Sequence, residues 1–160
     1  MLRHGTHDDF DHLYPIYMAE TVNPYLSFEI MSVEEFRPLF GELLKSGQLY
    51  VYEVDGMVAA TCIVTRQERR CSHNAQLGTL ATNPTMQRKG FGTSFLSQLI
   101  KLLQNEGIKR VELCVECDNL AAIHFYEKLG FQIEGTMKKY FKRRDQNHYV
   151  DEHIMAILLH

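Results

Sequence analysis

Apolar residues recur at helical spacing in four stretches of the chain and follow strand-like patterns in seven. Between Asp8 and Glu20, Phe10, Leu13, Ile16 and Tyr17 fall on one helical face, and Pro15 predicts a kink or break. Ser32-x-x-Glu35 is a capping-box pattern opening a second helix with Val33, Phe36, Phe40 and Leu43; Pro38 again predicts a kink, and Gly47 closes it. Leu49–Val54 and Met57–Thr65 read as strands, joined at Asp55-Gly56, the strongest short hairpin signal in the chain. A short strand over residues 1–5 precedes them, and Asn74–Thr82 follows. After Gly90 and Gly92 a helix carries Phe95, Leu96, Leu99, Ile100 and Leu103 on one face, ending at Gly107. Arg110–Glu116 is a strand, and Asp118 or Asn119 caps a helix that Gly130 ends. Phe131–Phe141 and Tyr149–Leu159 read as two long antiparallel strands.

The order is therefore β-α-α-β-β-β-α-β-α-β-β, a mixed α/β sheet rather than a doubly wound one, with a right-handed strand–helix–strand crossover. Length adds that the 160 residues, 45% hydrophobic, suit a single domain spanning 1–160 and exclude a disordered chain. No apolar run approaches the roughly 20 residues of a membrane span. The net charge of −3 weighs against a general nucleic-acid binder. Met1-Leu2-Arg3-His4 opens no apolar signal region, so a cytoplasmic location without a membrane partner is expected. Four cysteines are too few for a disulfide scaffold. Cys114-x-x-Cys117 lacks the second pair that a zinc site wants, so no metal is expected. His4, His7 and His12 read as a solvated N-terminal turn.

The chemistry concentrates in Gln87-Arg88-Lys89-Gly90-Phe91-Gly92, which runs from a strand into a helix and has the form Q/R-x-x-G-x-G/A. Glycines let the backbone come close to a ligand, and a helix start offers unpaired N–H groups to a diphosphate. There is no G-x-x-x-x-G-K-[ST] loop, and the third glycine of a dinucleotide fingerprint is missing. A second stretch, Asn119-Leu120-Ala121-Ala122-Ile123-His124-Phe125-Tyr126-Glu127-Lys128-Leu129-Gly130-Phe131, follows. With this pair of motifs the sequence resembles the GCN5-related N-acetyltransferase (GNAT) family over nearly its whole length. Within the family it looks similar to the amino-acid/phosphinothricin and ribosomal-protein branches.

The resemblance implies a mostly antiparallel sheet, splayed at a central parallel strand pair, with helices on both faces. It implies acetyl-CoA as donor. The amides of Gln87, Arg88, Lys89, Gly90, Phe91, Gly92 and Thr93 would hold its pyrophosphate. The backbone of Leu80, Ala81 and Thr82 would pair with the pantetheine arm, and Asn119 and Ala122 would complete the donor site. Tyr126 matches the tyrosine that protonates the departing thiolate. A phenol keeps its proton at pH 7, so it suits that task. An attacking alkyl amine must first lose a proton. Many relatives carry a glutamate where this chain has Gln76, which cannot serve as a base, so Glu29, Glu112, Glu116, His73 and His153 are the candidates. Tyr25, Phe28 and Glu29, between the first two helices, match the acceptor segment of the amino-acid branch. The expected acceptor is a primary amine of a small molecule, such as an amino acid. A protein N-terminus and a non-catalytic acyl-CoA sensor are the alternatives. Lys138, Lys139, Lys142, Arg143 and Arg144 read as a solvated hairpin tip. A monomer or homodimer is expected.

Overall fold

The structure, a computed structural model, describes residues 1–160. Its contacts group the chain into two compact units: Met1–Val64 with Thr79–Leu99, and Thr65–Gly78 with Ile100–His160.

In the first unit, β1 (Leu2–His4) and β2 (Leu49–Val54) pair antiparallel, as do β2 and β3 (Met57–Arg66). Asp55 and Gly56 both take positive φ, 51° and 76°, as the two-residue turn between twisted strands requires. A 3-10 turn (His7–Asp9) leads into α1 (Phe10–Met18). Arg3 grips both carboxylate oxygens of Asp9 at 2.8 Å and ties β1 to this turn. Burial opposes the Asp9 charge, but the Arg3 fork and the Thr6 amide outweigh it and hold the carboxyl below its usual range. Helix α2 (Val33–Ser46) begins at the predicted capping box: Ser32 Oγ accepts from Glu35 N at 3.2 Å, and Glu35 Oε2 accepts from Ser32 N at 2.8 Å. Gly47 ends it in the left-handed region, φ 66°.

The two helices bury a cluster of aromatic rings. Phe36 is fully buried, with Phe10, Tyr14 and Tyr17 at 5.6, 5.7 and 5.8 Å. The Tyr17 hydroxyl meets Thr61 Oγ1 at 3.2 Å, and Thr61 donates onward to the Tyr50 carbonyl at 3.1 Å, so Tyr17 is the donor of the first bond. Both prolines lie within continuous helices, so no break occurs at Pro15. Each is exposed, as are Asp11 and Glu34 four residues earlier, whose freed carbonyls water can satisfy.

In the second unit, the start of β4 (Asn74–Thr82) runs parallel to β5 (Arg110–Glu116), with Asn74–Leu77 opposite Arg110–Leu113. Antiparallel pairings join β5 to β7 (Val150–Leu158) and β7 to β6 (Gln132–Phe141). The hydrogen-bonded order is β1-β2-β3-β4-β5-β7-β6, with β4–β5 the parallel pair. Helix α3 (Phe91–Asn105) lies between β4 and β5 in the chain, and α4 (Leu120–Lys128) between β5 and β6. Gly130 ends α4 at φ 97°, where a Cβ would stand 3.2 Å from Ile157. No helix is long and apolar enough to cross a membrane.

Candidate active site

The loop after β4 is built by its own short-range bonds. Asn83 donates from its backbone N to the Ala59 carbonyl at 2.8 Å and from Nδ2 to the Val58 carbonyl at 3.0 Å, while its Oδ1 accepts from Thr85 N at 3.1 Å. That anchors a 3-10 turn, Pro84–Met86. Arg88 and Gly90 then take positive φ, 62° and 80°. The first α3 bond is Ser94 N to the Gly90 carbonyl at 3.0 Å, so the Phe91, Gly92 and Thr93 amides lack acceptors within the helix. A Cβ on Gly90 would meet nothing within 4 Å, so the space beside this turn is open. Gln87, Arg88 and Lys89 are exposed beside it. Free amides, a helix dipole and two cations fit a diphosphate. Leu80 and Thr82 are half-buried and Ala81 is buried, after Thr79 departs from extended backbone at φ 48°.

Asn119, Ala122 and Tyr126 belong to the second unit. Asn119 caps α4: its Oδ1 accepts from Ala122 N at 3.3 Å, and its backbone N donates to the Glu116 carbonyl at 2.9 Å. Tyr126 is buried, its ring 5.4 Å from Phe125 and 5.8 Å from Phe131. The Tyr126 carbonyl accepts from Leu129 N and Phe131 N, at 3.0 and 3.1 Å, so the G-F end of the motif locks the last turn.

The base candidates separate clearly. Gln76 faces Glu112 in the β4–β5 register, and Arg110 Nε donates to Glu112 at 2.8 Å. His153 Nδ1 is bonded to Thr136 Oγ1 at 2.8 Å, and Glu29 and His73 are exposed. Glu116 is 5% exposed, and burial raises its pKa despite Arg143 and Asn119. Sequence reasoning missed Glu152, directly across β5–β7 from Glu116 and 6% exposed. Burial and the Glu116 charge push its pKa up to about 7. Only the strand register could have revealed this pair.

Tyr25, Phe28 and Glu29 share the α1–α2 connection but not one role. Asn23 Nδ2 donates to the Tyr17 and Phe28 carbonyls at 2.9 and 3.0 Å and shapes the segment. Phe28 packs on the core beside Tyr17 at 5.5 Å, whereas Tyr25 and Glu29 are exposed. None of the three lines a cavity of about 310 Å³ bounded by Asp11, His12, Pro15 and Ile16, by Met57 and Val58, and by Asn83 to Thr85. His12 is thus half-buried rather than solvated, whereas His4, resting on Tyr50 at 4.2 Å, and His7, in the 3-10 turn, are exposed.

The basic hairpin segment is also not simply solvated. Arg143 is 8% exposed because it forks onto Asp118 at 2.7 and 2.9 Å and its guanidinium lies 5.7 Å from the Phe141 ring. Lys138 pairs with Asp151 at 2.9 Å, and Lys142 lies 5.5 Å from the Tyr149 ring. All four cysteines are free thiols; burial raises the pKa of Cys114 and Cys117. No group of three or more His, Cys, Asp or Glu side chains is placed to hold a metal ion.

A profile of the acetyltransferase (GNAT) family matches residues 10–131. The L-amino acid N-acetyltransferase of Escherichia coli is 36% identical over 105 residues, 64% of this chain and 63% of that protein. The [ribosomal protein bS18]-alanine N-acetyltransferase of Salmonella typhimurium is 39% identical over 83 residues, 52% of this chain and 55% of that protein. The chain thus spans less than two thirds of the length of either curated relative. The fold matches the spermidine N-acetyltransferase of Vibrio cholerae, solved in complex with CoA and spermine, with a TM-score of 0.84 and 20% identity, over 99% of this chain and 94% of that one.

Proposed function

We propose, on the premise that the chain belongs to the acetyltransferase (GNAT) family, that residues 1–160 work as one domain moving an acetyl group to a primary amine. Acetyl-CoA, as substrate, supplies the acetyl group activated as a thioester. The observation that carries this reading is the start of α3, where three unpaired amides follow the positive-φ turn at Gly90. In this reading the Gln87–Thr93 amides bind the pyrophosphate, Arg88 and Lys89 neutralise it, and Leu80, Ala81 and Thr82 offer backbone groups to the pantetheine arm. Asn119 and Ala122 contact the same arm. Tyr126 gives its phenolic proton to the departing sulfur.

The acceptor we favour is a small molecule with an α-amino group, such as an amino acid, placed against Tyr25, Phe28 and Glu29. The relative named for L-amino acids supports it. The ammonium group of a free amino acid is stabilised by its own carboxylate and so calls for a base, whereas a peptide α-amine, with a pKa of about 7.7–8.0, is partly neutral near pH 7 without help. A peptide N-terminus is the second reading, favoured by the relative named for a ribosomal-protein alanine. Both present the same reacting group. The test measures thiol release from acetyl-CoA with free amino acids and with peptides that begin with alanine. Turnover confined to the peptides would refute the small-molecule reading.

A further inference from the structure

The β5–β7 ladder places two carboxylates where a sheet normally avoids them. Glu116 and Glu152 are direct cross-strand partners, so their side chains rise on one face with Cβ atoms about 4.5–5.5 Å apart. Both are buried, at 5% and 6% exposure. Like charges directly opposed destabilise a ladder, and burial enlarges that cost. The two differ in their partners. Glu116 lies in the field of Arg143, which with the neighbouring Asn119 favours its charge. The Glu152 carboxylate has no hydrogen-bond donor and no ion pair; only burial and the Glu116 charge act on it.

The other carboxylate on this face of β5, Glu112, is taken by Arg110 Nε at 2.8 Å. On β5, Cys114 shares the face, opposite Ile154, and its own thiol is raised by burial. On β6, the partner of Glu152 is Met137. At the turn after β5, Asp118 is occupied by Arg143 from the β6–β7 connection. Lys138 is taken by Asp151, one residue before Glu152 and so on the opposite face. The Glu152 oxygens are not among the fully buried atoms that lack a partner, so they reach solvent, where an ammonium group, which carries three donors, can meet them. The link to the reaction is Asn119, whose backbone N donates to the Glu116 carbonyl at 2.9 Å and whose side chain caps the helix that carries Tyr126.

We propose that Glu152, poised by Glu116, receives the ammonium group of the acceptor and takes its proton. The N–H bond breaks, the electron pair stays on nitrogen and the proton moves to a Glu152 carboxylate oxygen. The neutral amine then has the lone pair that forms the new C–N bond, and Glu152 returns its proton to water. This supplies the base that Gln76 cannot provide. A carboxyl with a pKa of about 7 lies nearer that of an ammonium group than an ordinary glutamate of about 4.3 does. The assignment rests on the acetyltransferase reading.

The experiment compares wild type, Glu152→Gln and Glu116→Gln with an α-amino acid and with its alkoxyamine analogue, which is already neutral near pH 7. Glu152→Gln is expected to lower kcat/KM for the amino acid by about 100-fold or more, to remove the acidic limb of the pH profile, and to spare the alkoxyamine. Glu116→Gln is expected to move that limb to lower pH, because it removes the charge that holds the Glu152 proton. Acetyl-CoA binding by calorimetry reports whether each variant is folded. A Glu152→Gln enzyme with the wild-type rate and profile, or one equally impaired on both substrates, overturns the proposal. So does an unmoved limb in Glu116→Gln, which decides the matter even if Glu152→Gln does not fold. Wild type that acetylates neither substrate nor any other amine refutes the acetyltransferase reading itself, and the base assignment falls with it.

Discussion

Replacing Arg143 by methionine keeps most of the buried stem and removes the fork that holds the β6–β7 connection to the start of α4. The fork makes two bonds to Asp118, at 2.7 and 2.9 Å, with side-chain exposures of 7% for Arg143 and 50% for Asp118. A hydrogen bond to a charged group nets about 1.5–3 kcal/mol. Half of the Asp118 surface faces water, which replaces part of what is lost, so the pair together contributes about 2 kcal/mol. A double-mutant cycle of Arg143→Met and Asp118→Asn isolates that coupling. Urea unfolding followed by far-ultraviolet circular dichroism suits a chain with no tryptophan. The sign of the pH dependence follows from the Arg143 hydrogen bonds, which hold the Asp118 carboxyl below its usual range. The coupling is therefore fully present above the unfolded value of about 3.9 and fades as pH falls through the folded value. A coupling below about 0.5 kcal/mol at pH 7, typical of exposed ion pairs, would refute the claim that this contact anchors the segment.

Two further outcomes test the donor site. Tyr126→Phe keeps the packing against Phe125 and Phe131, so acetyl-CoA affinity should stay at the wild-type value while kcat falls by about 100-fold, within the usual range for a lost general acid. Unchanged turnover would remove that role. Gly92→Trp puts a large side chain on the first turn of α3, where the free amides lie, and should abolish acetyl-CoA binding in calorimetry while leaving the circular dichroism spectrum unchanged. Retained affinity would defeat the pyrophosphate-loop assignment.

The features legible in the sequence are those that local chemistry dictates. Asp55-Gly56 requires two successive positive φ angles, Ser32 and Glu35 close their own capping box, and Gly47, Gly107 and Gly130 all sit in the left-handed region. The seven strands and four helices follow, within a residue or two except at α1. There the expected helix from Asp8 resolves into a 3-10 turn and a shorter helix, because Asp9 is spent on Arg3 and on the Thr6 amide. What local pattern cannot carry is register. The pairing of β5 with β7 rather than β6 sets Glu116 against Glu152, and no motif spans those positions. Arg143 looks like a surface cation until Asp118, 25 residues earlier, is brought to it. Of the acceptor segment, the resemblance to the amino-acid branch grouped Tyr25, Phe28 and Glu29, but Phe28 is drawn down onto the core and the other two are not.

The central claim is acetyl transfer to an amine, and the most direct measurement incubates the protein with acetyl-CoA and a panel of amines, counting free thiol and identifying products by mass. Thiol release should depend on an α-amino compound and be matched by an equal amount of its N-acetyl product. Tight binding of acetyl-CoA with no thiol released by any amine would contradict it and leave a coenzyme-binding domain without turnover.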